Sequence, residues 1–487
     1  MNKTAKNTSI YFVGTVVMGV LGLVNTMLLT RLIEDPKVYA MYGLLHQFIT
    51  TAAMFISFGF DAAYARFYYK HNQTQHGYLL KVLLIPGALF ALFALAVIEP
   101  SQWIVRSIFG SELSAIVILL LLLYLFFTFV HRFTQLTARM EEHALNYVLS
   151  NFIGRFGFIF VIAAVFFVWK SVSFDWVLIS SLIASILATI LNLWIFLKAK
   201  KDKREDGSLI GQKEMLSYGV PIMINNVLIL VVPLLEKIII REAAVNEEAG
   251  WEMLSVYTAV AVFQTVVMLL VNTIDNIWNP IVFKNCDKPQ KFKPIMHNFG
   301  LAVSVIVIVG FSLCVLLRRW LVLLLGAEYR GGVMILAPAI CFGTCFRLVT
   351  MIYSAGIHIE KKTIHFIVEP IIQLGLSLIL CFSLLRPLGL VGVGIAVTVS
   401  VIASRIYRMA VGLYLYDTGV SEYKVWVLMG VCTAVAFASL FFTSFIADVV
   451  MFVVLIAAML LILNKDLLTV IQTAKTLMIP SKKSEKN

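Results

Sequence analysis

Charge is what this chain has least of. Asp, Glu, Lys and Arg make up 14% of its residues against 60% apolar, and its mean hydropathy is +0.92. A soluble domain is about half apolar and a quarter charged. No water-surrounded core hides this much hydrocarbon, so lipid is the solvent for most of the molecule. Chemical signatures are missing too: the chain has no Walker A loop for a nucleotide's phosphates, no His-rich metal motif and no nucleophile elbow. Its connections are short, which leaves no room for a soluble catalytic domain. The six cysteines, Cys286, Cys314, Cys341, Cys345, Cys381 and Cys432, lie mostly in apolar runs. Cys341 and Cys345 stand one helical turn apart, but no His or carboxylate accompanies them at ligand spacing, so they read as packing residues. Neither a metal nor a cofactor is called for. The apolar run from Ser9 is too long for a signal-peptide core and has no clear cleavage site, so it reads as the first true span.

What is present is a succession of long apolar runs. They exceed the length of barrel strands, and a bilayer core demands internally satisfied backbone, so the class is an all-α polytopic membrane protein. A window of about 19 residues places about fourteen transmembrane helices. Those of the first half are Ser9–Thr30, Tyr42–Phe60, Leu79–Ile98, Ile116–Gln135, Val148–Trp169 and Trp176–Leu197. The rest are Leu216–Ile240, Leu254–Ile274, Phe299–Leu317, Gly332–Ile352, Ile364–Leu385, Leu390–Gly412, Lys424–Thr443 and Phe445–Leu463.

The net charge of +12 follows the same pattern. With no basic soluble domain to meet nucleic acid, the excess Lys and Arg read as topology signals. Even-numbered connections hold most of them: Arg66, Lys70 and Lys81; Arg132 and Arg139; Lys198 to Arg204; Lys284 to Lys293; Lys361 and Lys362; Arg405, Arg408 and Lys424. Odd connections hold few, among them Arg31, Lys37, Lys237, Arg241, Arg318 and Arg319. The positive-inside rule then puts both termini in the cytoplasm of a multi-pass cell-membrane protein. The chain divides into an N-lobe over 1–197, a basic cytoplasmic linker over 198–215, a C-lobe over 216–413, two extra spans over 414–464 and a cytoplasmic tail over 465–487. Leu467–Leu477 in that tail has the pattern of an amphipathic surface helix. A weak duplication links the halves: both second helices end in an aspartate (Asp61, Asp275), then aromatics, then a basic residue. Six spans between them make the repeat parallel.

Ionisable groups inside spans are costly and normally face a bundle interior or a watery cavity. Arg155, after Asn151 and Gly154, and Arg347, between Thr344 and Thr350, have apolar flanks and read as cavity residues. Glu236 and Lys237 read either as an interfacial pair with a snorkelling lysine or as cavity groups. Asn225 and Asn226, with Pro221 and Pro233, point to a bent, polar-lined helix or to packing between helices. Glu369, Arg405 and Arg408 lie near the inner ends of their spans, Arg31 at an outer end, and Asp61 and Arg66 stand at pairing distance on one helix. Cations outnumber acids in this set, which suits an anionic or phosphorylated substrate.

These residues also carry a likeness. The stretch from Asn7 through Gly14 and Gly19 to Arg31-Leu32-Ile33, Pro36, Tyr39 and Gly43 resembles the opening of Wzx-like oligosaccharide flippases. Those belong to the multidrug/oligosaccharidyl-lipid/polysaccharide exporter superfamily. The likeness continues at FGFDAAYARFYY, YGVPIMINNVLILVVPLLEKIII, GAEYRGGVMILAPAICFG and the glycine-rich segment from Lys361 to Ser400. Glu236-Lys237 stands where members commonly have Asp-Arg or Asp-Lys, and Glu34-Asp35-Pro36 where they have Gly-Pro. The resemblance implies two six-helix lobes around a V-shaped central cavity, with two more helices at the C-terminus. It implies a flippase for polyprenyl-pyrophosphate-linked oligosaccharide, working beside a polysaccharide polymerase or glycosyltransferases. Within that expectation Arg31, Arg66, Arg155, Arg347, Arg405, Asn225 and Asn226 are the candidate substrate-binding residues, since guanidinium matches phosphate oxygens. Asp61, Glu236 and Asp275 are the candidates for ion coupling. One rival is a cation-coupled drug antiporter of the same superfamily, which predicts embedded carboxylates with few cations. Another is a membrane polymerase or ligase, which needs a sizeable external loop.

Overall fold

The computed structural model describes residues 3–68, 75–99, 102–141, 143–198, 211–285, 289–360, 362, 364–418 and 422–464. Most of the basic linker and the tail with Leu467–Leu477 lie outside the described residues. Nearly every described residue is helical, and none is in a strand. The chain forms two compact units, Met1–Arg241 and Glu242–Asn487.

The first unit holds α1 (Lys3–Leu32), α2 (Pro36–Ser57), α3 (Phe60–Phe67), α4 (Gln75–Ile98), α5 (Trp103–Phe109), α6 (Ala115–Met140), α7 (Ala144–Trp169), α8 (Phe174–Lys198) and nearly all of α9 (Gln212–Ala243). The unusual Glu34-Asp35-Pro36 sequence is a helix start. Asp35 caps α2 by accepting from the Lys37 amide at 2.8 Å, and Pro36 fills the first turn, where no amide hydrogen is needed. α9 is tied to α2 by side chains that reach backbone carbonyls. Gln47 donates to Leu230 O at 2.9 Å, and Lys237 donates to Gly43 O at 2.8 Å.

Between α2 and α3 the chain bends by 58°, through Phe58 (φ 47°) and Gly59 (φ 76°). At that bend the Gly59 backbone lies against Gly219 of α9 so closely that a Cβ at residue 59 would enter the Gly219 carbonyl. Gly59→Ala is therefore expected to cost about 2 kcal/mol or more, from positive-φ strain and backbone overlap together. Gly87→Ala, with nothing within 4 Å of the added carbon, is its matched control. Thermal unfolding in detergent should show a lowered midpoint for the first variant only.

The second unit holds α10 (Glu247–Asn285), α11 (Pro289–Val322), α12 (Ala327–Tyr353), α13 (Ala355–Ile359), α14 (His365–Leu415), α15 (Tyr423–Phe441) and α16 (Phe445–Leu463). α12 runs through its middle and is the most buried of the apolar helices. α14 is a hairpin of two arms rather than one rod. The chain reverses at Gly389 (φ 54°, ψ −130°), a conformation that favours glycine. Glu369 and Arg405 would lie about 54 Å apart along a straight helix, yet their side chains form an ion pair.

Among the described residues ten helices are long and apolar enough to cross a membrane, or eleven if the bent α2–α3 pair is one span. The expected fourteen are not reached by this measure. It takes α14 as one helix where the sequence marks two spans, and it reads α1 only as the shorter apolar segment Val17–Leu32.

Candidate functional site

In the second unit a cavity of about 200 Å³ opens between α10, α12, α13 and the second arm of α14. Its polar lining is Asp275, Arg347, His358 and Arg408, and its apolar wall includes Val271, Trp278 and Met351. Trp278 is fixed from behind, stacked on Phe299 with centroids 4.9 Å apart. Arg408 is held on two sides. Its Nη1 donates to Glu369 Oε2 at 2.9 Å, and its guanidinium lies 4.7 Å from the Phe366 ring centre. Arg405 donates to the other Glu369 oxygen and is not part of the lining. His358, on the short helix between spans, is pushed below the usual imidazole range, first by burial and then by Arg408, while Asp275 acts in the opposite sense.

Arg347 differs from its neighbours. Its guanidinium has no hydrogen-bond or ion-pair partner among the described residues, although it is half-buried on the cavity wall. A cation withdrawn from water without a partner is costly. Together Arg347, Arg405 and Arg408 face Glu369 and Asp275, so one positive charge is left over. That arrangement is chemically suited to an anion with several oxygens.

In the first unit the embedded groups are more dispersed. Arg155 is exposed and donates from Nη1 to Met18 O at 2.8 Å. Nearby, Asn25 Nδ2 donates to Tyr42 Oη at 3.4 Å, Tyr42 stacks on Phe158 at 5.5 Å, and His46 is exposed one turn further along α2. Sequence reasoning missed Asn25, Tyr42 and His46. The signal for two of them is a polar stripe at i, i+4 and i+8, Tyr42, His46 and Thr50, along one face of a mainly apolar helix. Asp61 does not pair with Arg66. It accepts from Arg132 of α6, whose Nε lies 2.9 Å from Oδ2, while Arg66 is exposed with Tyr218 beside it, 5.9 Å from the ring centre.

Arg31 is exposed at the end of α1, and Asn225 and Asn226 are half-buried on α9. Glu236 and Lys237 are both buried, the lysine being used on the Gly43 carbonyl. Arg241, one turn on, donates to Ile108 O at 2.6 Å and Ser107 O at 3.1 Å, satisfying the end of α5. The structure thus brings Asp275 and Arg347 together on one cavity, leaves Arg405 behind it on Glu369, and does not bring Arg66 to the Asp61 carboxylate.

The family model described as polysaccharide biosynthesis protein matches residues 4–286, more than half of the chain. The chain belongs to that family. No curated protein sequence matches it. Among solved structures, the chain is similar to one described as the lipid II flippase MurJ in an inward closed conformation. Their TM-score is 0.69 at 13% identity, over 94% of this chain and 99% of the other. A second similar structure is described as the inward-facing conformation of a multidrug resistance MATE family transporter of the MOP superfamily. There the TM-score is 0.61 at 14% identity, over 84% of this chain and 98% of the other. At such identities the likeness establishes the fold alone.

Proposed function

We propose that this family member is a flippase, not an enzyme, and that it moves polyprenyl-pyrophosphate-linked oligosaccharide from the cytoplasmic to the outer leaflet for surface polysaccharide synthesis. The observation that carries this reading is Arg347, a guanidinium lining the same cavity as Arg408 with no hydrogen-bond partner among the described residues. Guanidinium forks bind phosphate oxygens bidentately, and the interaction is strongest away from water. The sugar and pyrophosphate avoid hydrocarbon by passing through polar space while the polyprenyl tail stays in lipid. Alternating access by rocking of the lobes carries the headgroup across. Family membership supports the substrate class, and the likeness to a lipid II flippase supports the mode of action. Both termini are placed in the cytoplasm of the inner or plasma membrane, and glycosyltransferases or a polymerase are the partners this chemistry requires.

A second reading is favoured by one observation: Asp275 lies on the cavity wall, where a carboxylate attracts organic cations, as a drug antiporter would need. Reconstituted proteoliposomes separate the two. Wild-type protein is expected to move a fluorescent polyprenyl-pyrophosphate oligosaccharide between leaflets and to leave organic cations in place. Proton- or sodium-driven cation efflux without lipid movement would sink the flippase reading.

A further inference from the structure

We propose that Glu369 is a resident counter-anion that competes with the substrate's phosphate for Arg408, and so sets how tightly the cavity holds that substrate. This rests on the reading of the cavity as a phosphate site.

Glu369 is 5% exposed on the first arm of the α14 hairpin. Each of its oxygens takes a different guanidinium of the second arm, Oε1 from Arg405 and Oε2 from Arg408. Two oxygens on one small anion, bridging two arginines, is also what a phosphate presents. The carboxylate therefore occupies Arg408 in the manner of the ligand itself. It does so from behind, because Arg408 lines the cavity and Glu369 does not.

The guanidiniums also have capacity to spare. The Nε atoms of Arg405 and Arg408 are buried with no hydrogen-bond partner among the described residues. The Phe366 ring beside Arg408 keeps its guanidinium in place while the terminal nitrogens are shared or exchanged. Arg347 lines the same cavity, near Asp275 but with no carboxylate in hydrogen-bond or ion-pair contact among the described residues. An entering phosphate would thus meet one open guanidinium and one already engaged.

Competition has a purpose in a carrier. A binding site that holds its cargo in one arrangement must let go in the next, and interactions that only tighten the bound state slow turnover. With Glu369 present, Arg408 returns to an internal partner when the phosphate leaves, and no buried cation is stranded. Without it, Arg408 and Arg405 would both lose their counter-ion, and the cavity would hold two guanidiniums, Arg347 and Arg408, against a single carboxylate, Asp275.

A purely structural clamp predicts the opposite sign, since loosening Arg408 would weaken binding. The test uses full-length protein purified in detergent, with inorganic pyrophosphate as the probe, and calorimetric affinities at fixed ionic strength. Glu369→Gln is expected to bind pyrophosphate about tenfold more tightly than wild type. In proteoliposomes the same variant should show a lower KM and a lower kcat for the lipid. Arg347→Gln is expected to weaken pyrophosphate binding about tenfold. Equal or weaker binding by Glu369→Gln overturns the proposal. Should that variant not fold, Glu369→Asp carries the test. It keeps the charge but is too short to bridge both arginines, so tighter binding supports competition and unchanged or weaker binding overturns it. Absence of pyrophosphate binding by both wild type and the Glu369 variants also overturns it. Lipid translocation by wild type in that case leaves the flippase reading standing, whereas the expected affinities without any lipid translocation sink the flippase and leave the competition.

Discussion

Arg347→Ala is expected to reduce translocation of a pyrophosphate-linked lipid about a hundredfold, the loss of about two charge-assisted hydrogen bonds to the phosphate. The usual objection to such a variant is that it misfolds. Here it should not, because the Arg347 guanidinium has no hydrogen-bond partner among the described residues and its removal orphans nothing. Taking an unpaired cation out of a buried cavity should leave the unfolding midpoint unchanged or raise it, a trade of stability for function found where binding groups are held ready. Arg347→Lys keeps the charge and loses the planar fork, so its activity should fall between those of wild type and Ala. Initial rates in proteoliposomes, beside unfolding midpoints of the same preparations, check both halves of this expectation.

Asp448→Ala is expected to be the most damaging change to the fold. Arg318 of α11 is 1% exposed and Asp448 of α16 is 0% exposed, and they pair directly. Arg318 also donates to Met334 O at 3.1 Å and to Ser439 O at 2.9 Å, so one side chain joins α11, α12 and the end of α15. Removing the carboxylate leaves that guanidinium buried without its counter-ion, which typically costs about 3–5 kcal/mol. Against a total stability of about 5–15 kcal/mol this is a large fraction. Little monodisperse protein should survive extraction. The double change Arg318→Met with Asp448→Ala should recover part of it, because no fully buried charge is then stranded, although Arg319, 3.5 Å from Asp448, loses its ion partner and the carbonyls that Arg318 satisfied remain unpaired.

These two sites show what a sequence makes visible. Arg347 was legible because one arginine among Phe346, Leu348 and Val349 breaks a local apolar pattern. The α14 hairpin was legible for the same kind of reason, since Pro387 and Gly389 interrupt two apolar runs. In the sequence Arg318 looks like a loop charge and nothing marks Asp448, because their pairing joins residues 130 apart. The same limit explains Asp61. Its nearest cation along the chain is Arg66, but the bend at Gly59 turns it toward Arg132, which is 71 residues away. Along the chain Arg241 reads as an external charge and Lys237 as an external, interfacial or cavity charge, whereas their donors end on carbonyls of α2 and α5. Periodicity and hydropathy describe one helix at a time. Which embedded charge meets which is decided by packing between helices.

If arginines in the second unit select and hold the phosphate of the cargo, the linkage between tail and sugar decides the rate. A translocation series on wild-type protein tests this, using one polyprenyl tail and one oligosaccharide joined by pyrophosphate, by monophosphate or by an uncharged link. Movement is expected to be fastest for the pyrophosphate, slower for the monophosphate and no higher than background for the uncharged lipid. Equal rates for all three would contradict it.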